Sequence, residues 1–398
     1  MDDILIRNVL LDGKQVNVLV AGNRFRSLSA PADAPARQVI EADGLAILPP
    51  FYNTHTHAAM SLLRGYADDM PLQKWLQEYI WPYEDKLTAA DIREGSRLAV
   101  REMIRTGSVF FSDMYFDIDE TIDVVAESGM RAAIGVTFVD SHSKSQQAEK
   151  LEVLRHWSDP THGRISLTVA PHAIYTVGTD LLVRCAEVAR DQGFKLHIHL
   201  SETRTEVDDC IRAHGTTPVR YLDRLGVLGP NVIAAHVVHV DEEEAAILAE
   251  RGVTVSHCPC SNMKLASGVF PYKLLHDAGC RITLGTDGDS SNNNLDMREE
   301  MKFAALLAKV SSNDPETMPA SEALEMATHA GAEAFGIDAG VIAEGKLADA
   351  LLVRLDDERM QPCHSLVSNW VYSAGSGCID TVLCDGRILM EHGELTTI

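Results

Sequence analysis

Long apolar runs are missing from this chain. None of its 398 residues falls in a stretch of about twenty consecutive apolar ones, so no membrane-spanning helix is expected. Basic residues are scarce, 35 Lys and Arg against 58 Asp and Glu. The formal net charge of -23 argues against nucleic acid or an anionic membrane surface as a partner. The eight cysteines follow no disulfide framework, and in a chain this long they need not pair. Cys258-Pro259-Cys260 is the closest couple, but it lacks the C-x-x-C spacing of zinc and redox motifs. Met1–Arg7 has no basic region followed by a long apolar one, so no secretory signal is read there. A reduced, cytoplasmic protein is the expectation.

Core material is ample: 45% of residues are hydrophobic and 23% charged, an ordinary globular balance. The length suits one α/β barrel with an appended piece. Between Asp3 and Ala46 the segments Ile4-Leu5-Ile6, Val16–Val20 and Arg37–Ile40 read as short strands, with Asp12-Gly13 as a hairpin turn. Ala350–Val353 and Thr381–Leu389 behave alike near the other end, and the two ends could pair into one small domain. The middle alternates strand and helix. Ala46–Phe51 reads as a buried strand with its turn, the first of eight runs that continues to His55. The others lie at Val109–Asp113, Ala132–Thr137, Ser166–His172, Lys195–His199, Val232–His236, Val253–His257 and Arg281–Gly285. Eight such units imply a (β/α)8 barrel with its active site at the C-terminal strand ends.

Polar residues close those runs. Thr54-His55-Thr56-His57 places two histidines at i and i+2, which share a face of a strand. Neutral imidazole is a common ligand for zinc-like metals, although H-x-H also occurs on exposed strands. Asp113, His172, His199, His236, His257 and Asp287 stand at other run ends, where core or surface histidines have no reason to gather.

These residues resemble the amidohydrolase family, in particular its adenosine-type aminohydrolase branch acting on methylthioadenosine and S-adenosylhomocysteine. The resemblance spans nearly the whole chain. It rests on Pro50–His57, Met60–Gly65, Trp75-Leu76, Trp81–Glu84, Ala170-Pro171-His172, His199-Leu200-Ser201-Glu202, Ser261–Leu265, Gly285–Gly288 and Gly345–Asp349. It implies a metal-dependent (β/α)8 TIM barrel over residues 50–344 and a small β-sandwich domain from 1–49 plus 345–398. It further implies one divalent metal, zinc with iron as the alternative, held by His55, His57, His199 and Asp287. Three imidazoles and a carboxylate leave room for a catalytic water. Two-metal relatives use a lysine at the end of strand four; Thr168–His172 contains none, so one metal is expected. His197 shares the face of His199 and competes as a ligand. The family's H-L-S-E spacing selects His199, leaving His197 as a hydrogen-bonded core residue.

The implied reaction is hydrolytic deamination of an adenosine-type nucleoside: 5′-methylthioadenosine, adenosine, 5′-deoxyadenosine or S-adenosylhomocysteine. The metal lowers the pKa of water toward about 7. Glu202 is placed to carry a proton from that water to the ring nitrogen, its alternative being a charge at a helix N-terminus. His236 would orient the attacking oxygen, and Asp287 would contact both metal and water; a structural salt bridge is the alternative for Asp287. The resemblance assigns Glu84 to the ribose hydroxyls, His172 to the base and Trp75 to a wall near the 5′ group, though Trp75 and Trp81 could equally be core. His239 and His257 read as supporting hydrogen-bond partners. Asp113 reads as either substrate-facing or a helix cap.

Some relatives hold the substrate carboxylate with arginines after strand three. Thr137–Gln147 has only Lys144, without the bidentate fork, which favours neutral 5′ groups. Guanine, cytosine or an s-triazine remains the alternative substrate, with Glu84 and His172 against it. A catalytically silent binding barrel is the alternative class, and it would be expected to lose ligands. A small-molecule nucleoside is the expected partner, with no nucleic acid, no membrane, and a homo-oligomeric state.

Overall fold

The computed structural model describes residues 3–398. Met1 and Asp2, part of the segment read above for a secretory signal, lie outside the described residues. The chain begins with the hairpin of β1 (Ile4–Leu11) and β2 (Lys14–Ala21). Asp12 and Gly13 turn it with φ of 49° and 76°, the left-handed conformation that a two-residue hairpin loop requires. β3 (Arg24–Ser27) continues on the far side of β2, while β4 (Gln38–Glu41) and β5 (Leu45–Leu48) run parallel to β1.

The run Ala46–Phe51 is divided between two sheets. Leu45–Leu48 stays with the terminal strands, and the next strand, β6 (Phe51–Thr56), opens a separate sheet. Pro49-Pro50 makes the break: neither residue has an N–H for a ladder, so pairing cannot pass through them.

From β6 the sheet continues in sequence order through β7 (Ser108–Tyr115), β8 (Arg131–Phe138), β9 (Ile165–Pro171), β10 (Lys195–Leu200), β11 (Val232–His236), β12 (Thr254–His257) and β13 (Arg281–Leu284). All these pairings are parallel. Between β13 and β6 the barrel is nearly closed. There Thr54 Oγ1 donates to the Leu284 carbonyl at 2.8 Å, and the Asp287 N–H donates to the His55 carbonyl at 3.0 Å. Helices cover the outside. The helix Ala89–Arg105 is typical: Thr88 and Asp91 form a reciprocal capping box, and Ile92, Ala99, Val100, Met103 and Ile104 face inward.

The chain returns to the first sheet through β14 (Ala350–Arg354), β15 (Ile379–Cys384), β16 (Arg387–Glu391) and β17 (Glu394–Leu395). Hydrogen bonding joins β5 to β14, so both termini build one continuous mixed sheet of nine strands. No helix among the described residues is long and apolar enough to cross a membrane. The eight cysteines are free.

A buried polar knot joins the two sheets. Arg131 of β8 meets Asp349 at 3.2 Å and Asp385 at 2.6 Å, with Arg131 4% and Asp349 0% exposed. Tyr52 of β6 donates its hydroxyl to Asp349 at 2.6 Å. Removing the only cation of this knot would strand two carboxylates away from water. Arg131→Met is therefore expected to cost about 3–5 kcal/mol, read as a lowered urea midpoint against wild type.

Candidate active site

Imidazoles from different strands meet at the C-terminal end of the barrel. β6 presents His55 as its next-to-last residue and His57 just past its end, β10 presents His199, and β11 ends on His236. Asp287 follows β13. His55 Nε2 and His57 Nε2 lie 3.4 and 3.2 Å from the same Asp287 oxygen, Oδ1. His199 Nε2 is 3.4 Å from His57 Nε2, and His236 Nε2 is 4.0 Å from Asp287 Oδ2. The donor atoms of His55, His57 and His199 lie within 4.8 Å of one another, as do those of His55, His236 and Asp287.

Each ring is turned by a bond on its other nitrogen. His57 Nδ1 donates to the Met114 carbonyl at 2.6 Å, and His199 Nδ1 to the His172 carbonyl at 2.8 Å. His236 Nδ1 lies 2.9 Å from Asn262 Oδ1, and His55 Nδ1 2.9 Å from His197 Nε2. A hydrogen on Nδ1 leaves the Nε2 lone pair facing the centre. His55 Nε2 is moreover buried with no hydrogen-bond partner among the described residues. An orphaned lone pair beside imidazoles and a buried carboxylate fits a divalent cation that takes nitrogen and oxygen ligands.

Burial and Asp287 pull the two neighbouring rings in opposite directions. Burial holds the His55 ring down, to about 4, against the pull of Asp287. For His57 burial also opposes the charge, but the bond and charge of Asp287 outweigh it and raise the ring to about 9. Burial would push the Asp287 carboxyl up, yet His55 and His57 hold it well below the usual carboxylate range. Asp287 is thus a buried anion that demands positive charge beside it. Ser261 Oγ donates to its Oδ2 at 2.6 Å, and the Gly288 N–H to its Oδ1 at 2.9 Å.

Glu202 lies beside this cluster. Its Oε1 accepts from Ser267 Oγ at 3.1 Å, and its Oε2 is 3.9 Å from His236 Nε2. Burial raises its carboxyl, and Asp287 adds to the effect. Glu206, in the first turn of the following helix, accepts the N–H groups of Ser201 and Glu202 at 2.9 and 2.7 Å. That clamp holds a bent backbone at Ser201, where φ is 50°; His236 and Asp287 also take positive φ, 72° and 60°. Non-glycine residues enter the left-handed region only where surroundings enforce it.

A cavity of about 750 Å³ opens onto the cluster. His57, His199, Glu202, His236 and Asp287 form one end; Trp75, Glu84 and His172 line it too, with Leu72, Leu76, Trp81 and Leu265 as apolar wall. Trp75 is 5% exposed and packs with Leu72 and Leu76, so it is a wall and a core residue at once. Burial raises the Glu84 carboxyl to about 7, although Tyr115 and His57 counteract it. Burial lowers the His172 ring to about 3; its Nδ1 pairs with Thr176 Oγ1 at 2.9 Å.

The residues left open by the sequence find places. Asp113 Oδ1 accepts the Ala58 N–H at 2.7 Å, capping the 3-10 turn Ala58–Leu63 after the H-x-H. His239 Nε2 donates to the Ser267 carbonyl at 2.6 Å, which supports the partner of Glu202. His257 Nδ1 is unpartnered among the described residues, and the ring stacks on Phe270 at 3.9 Å. Lys144 is exposed and does not line the cavity. Sequence reasoning passed over Asn262, Ser267, Glu206, Tyr175 and His142, of which the last two line the cavity. Asn262 lies within the Ser261–Leu265 motif; the others have no signal beyond residue type.

Gly285 marks how tightly β13 meets β6. A Cβ there would lie 2.9 Å from the Cβ, N and O atoms of His55. Gly285→Ala should therefore push His55 aside, costing about 1–3 kcal/mol of stability and lowering the divalent metal bound per chain. Thermal unfolding and elemental analysis of the same preparation check both.

The Amidohydrolase family model matches residues 46–389. The 5-methylthioadenosine/S-adenosylhomocysteine deaminase of Pelotomaculum thermopropionicum is 44% identical over 388 residues, 96% of this chain and 90% of that protein. The 5′-deoxyadenosine deaminase of Methanothermobacter thermautotrophicus is 45% identical over 389 residues, 96% and 91% of the two chains. Among solved structures, a zinc-bound adenosine deaminase from Xanthomonas campestris superposes with a TM-score of 0.94 at 35% identity, covering 100% of this chain and 94% of that one.

Proposed function

The chain belongs to the amidohydrolase family, a family of metal-dependent hydrolases, and from that premise we propose that it deaminates an adenosine-type nucleoside to the inosine product and ammonia. The observation that carries this reading is one cavity holding two separate chemistries. At one end is the histidine–Asp287 cluster with Glu202; elsewhere on the wall stands Glu84, a carboxyl mostly buried and unneeded by the cluster. A bare ring such as guanine, cytosine or an s-triazine offers Glu84 no paired hydroxyls, whereas a ribose does.

His55, His57, His199 and Asp287 would hold the metal, with zinc proposed and iron the alternative. Bound there, it would supply hydroxide near neutral pH. Glu202 takes the proton released from water and delivers it to the purine ring nitrogen. Its raised carboxyl pKa suits a group that must hold a proton between two transfers. The Ser267 hydroxyl fixes one Glu202 oxygen and leaves the other for the reacting atoms. His236, oriented by Asn262, lies between Glu202 and Asp287 and steers the attacking oxygen toward the ring carbon. The added hydroxyl then gives up its proton to the departing amino group, the C–N bond breaks, and ammonia leaves as the ring C=O forms. His172 contacts the base, Trp75 walls the 5′ side, and the apolar lining keeps bulk water away.

Among the described residues no Lys or Arg lines the cavity, while Asp85, Asp117 and Asp140 do. The favoured substrates therefore carry a neutral 5′ group: methylthioadenosine, adenosine or 5′-deoxyadenosine. A homo-oligomeric state, a cytoplasmic location, and a nucleoside as partner without nucleic acid or membrane complete the proposal.

A spectrophotometric panel on zinc-loaded protein should show conversion of these adenosines, with S-adenosylhomocysteine turned over less efficiently than methylthioadenosine. Inert adenosines with turnover of guanine or cytosine would move the substrate to another ring. A higher kcat/KM for S-adenosylhomocysteine would reverse the preference for neutral groups. Glu202→Gln should keep its zinc and lose about 10²–10⁴-fold in kcat; a near-normal rate would remove Glu202 from the mechanism.

A further inference from the structure

We propose that His197 is a positioning residue for the metal site, fixing the tautomer and direction of His55 through a cross-barrel chain Ser112–His197–His55. This rests on the reading above that His55 is a metal ligand.

His197 precedes His199 by two residues on β10, so it faces the barrel interior one layer below the cluster. Layers at that depth are ordinarily filled by branched aliphatic side chains. Here two fully buried imidazoles meet instead, His55 and His197, each 0% exposed. His55 Nδ1 and His197 Nε2 are 2.9 Å apart, with the rings nearly perpendicular at 86°. On its far side His197 Nδ1 lies 3.2 Å from Ser112 Oγ on β7. The chain therefore ties β6, β10 and β7 together across the interior.

Its direction follows from chemistry. A neutral imidazole has one N–H and one lone pair. If His55 Nε2 is to offer a lone pair to a cation, its Nδ1 must carry the hydrogen and needs an acceptor. That acceptor is His197 Nε2, which places the His197 hydrogen on Nδ1, where Ser112 Oγ receives it. His57 and His199 solve the same problem with the carbonyls of Met114 and His172 near the strand ends. The Nδ1 of His55 is served instead by a side chain from the layer below. A packing residue would not need to be polar there, since burying an imidazole costs free energy that an aliphatic side chain avoids. Partners of this kind are worth about 10–100-fold in metal affinity.

The test is zinc affinity of the full chain, stripped of metal and titrated with Zn²⁺ against a chromogenic chelator, with melting of the stripped protein recorded alongside. His197→Leu should weaken zinc binding about 10–100-fold without lowering the melting temperature of the stripped protein. His197→Gln, whose side-chain oxygen can accept the His55 Nδ1–H, should recover affinity to within about threefold of wild type, the readout a mere packing role would not move. Leucine retaining affinity within about twofold, or leucine and glutamine losing it alike, overturns the proposal. Should the leucine variant fail to fold, His197→Asn takes its place: the shorter amide cannot reach His55, so affinity equal to that of glutamine is the overturning result. Wild-type protein that binds no zinc defeats the functional reading itself, and this inference with it.

Discussion

The site depends on one requirement: each of the four clustered imidazoles, His55, His57, His199 and His236, must have somewhere to put its Nδ1 hydrogen. Met114 and His172 offer backbone carbonyls, Asn262 a side-chain oxygen and His197 a ring nitrogen. Those acceptors leave four Nε2 atoms directed into one small volume beside Asp287. Parallel strands make this possible. Their C-terminal ends converge on the same face, and the ladder releases its last carbonyls just where the rings need them.

Holding that arrangement costs backbone comfort. Ser201, His236 and Asp287 sit at positive φ where their strands run out. Each is over-determined by neighbours: the Glu206 clamp for the Ser201–Glu202 turn, Asn262 for His236, and Ser261, Gly288 and the His55 carbonyl for Asp287. The near-closure of β13 on β6 belongs to the same logic. Without a side chain at Gly285 the two strands approach closely enough to place Asp287 over His55 and His57. On the other side, the Arg131–Asp349–Asp385 knot ties β8 to the terminal sheet.

The cavity divides its labour by polarity. One end concentrates imidazole and carboxylate where burial shifts their protonation, and the walls contributed by Leu72–Glu84 are mainly apolar. Glu84 is the exception, a carboxyl raised by burial and set apart from the cluster. This partition suits a substrate with a reactive heteroaromatic end and a hydroxyl-bearing part.

Much of this was written in the linear chain. Apolar runs ended by His or Asp identified the barrel strands, and the period of two brought His55 and His57 to one face, because local geometry alone decides which way neighbouring side chains point. Asp12-Gly13 likewise made its hairpin. What needed tertiary structure were relations between residues distant in sequence. Pro49-Pro50 assigned Leu45–Leu48 and Phe51–Thr56 to different sheets, although the run read as one strand. Asp113 became a cap for Ala58, and His257 a stacking partner of Phe270. Asn262, Ser267 and Glu206 acquired their roles only when strand ends far apart in the chain were brought together. The sequence by itself determined the barrel and the residue types at its mouth; which nitrogen faces inward, and what holds it there, was decided by packing across the barrel, since a hydrogen bond depends on distance and angle that no spacing along a chain encodes.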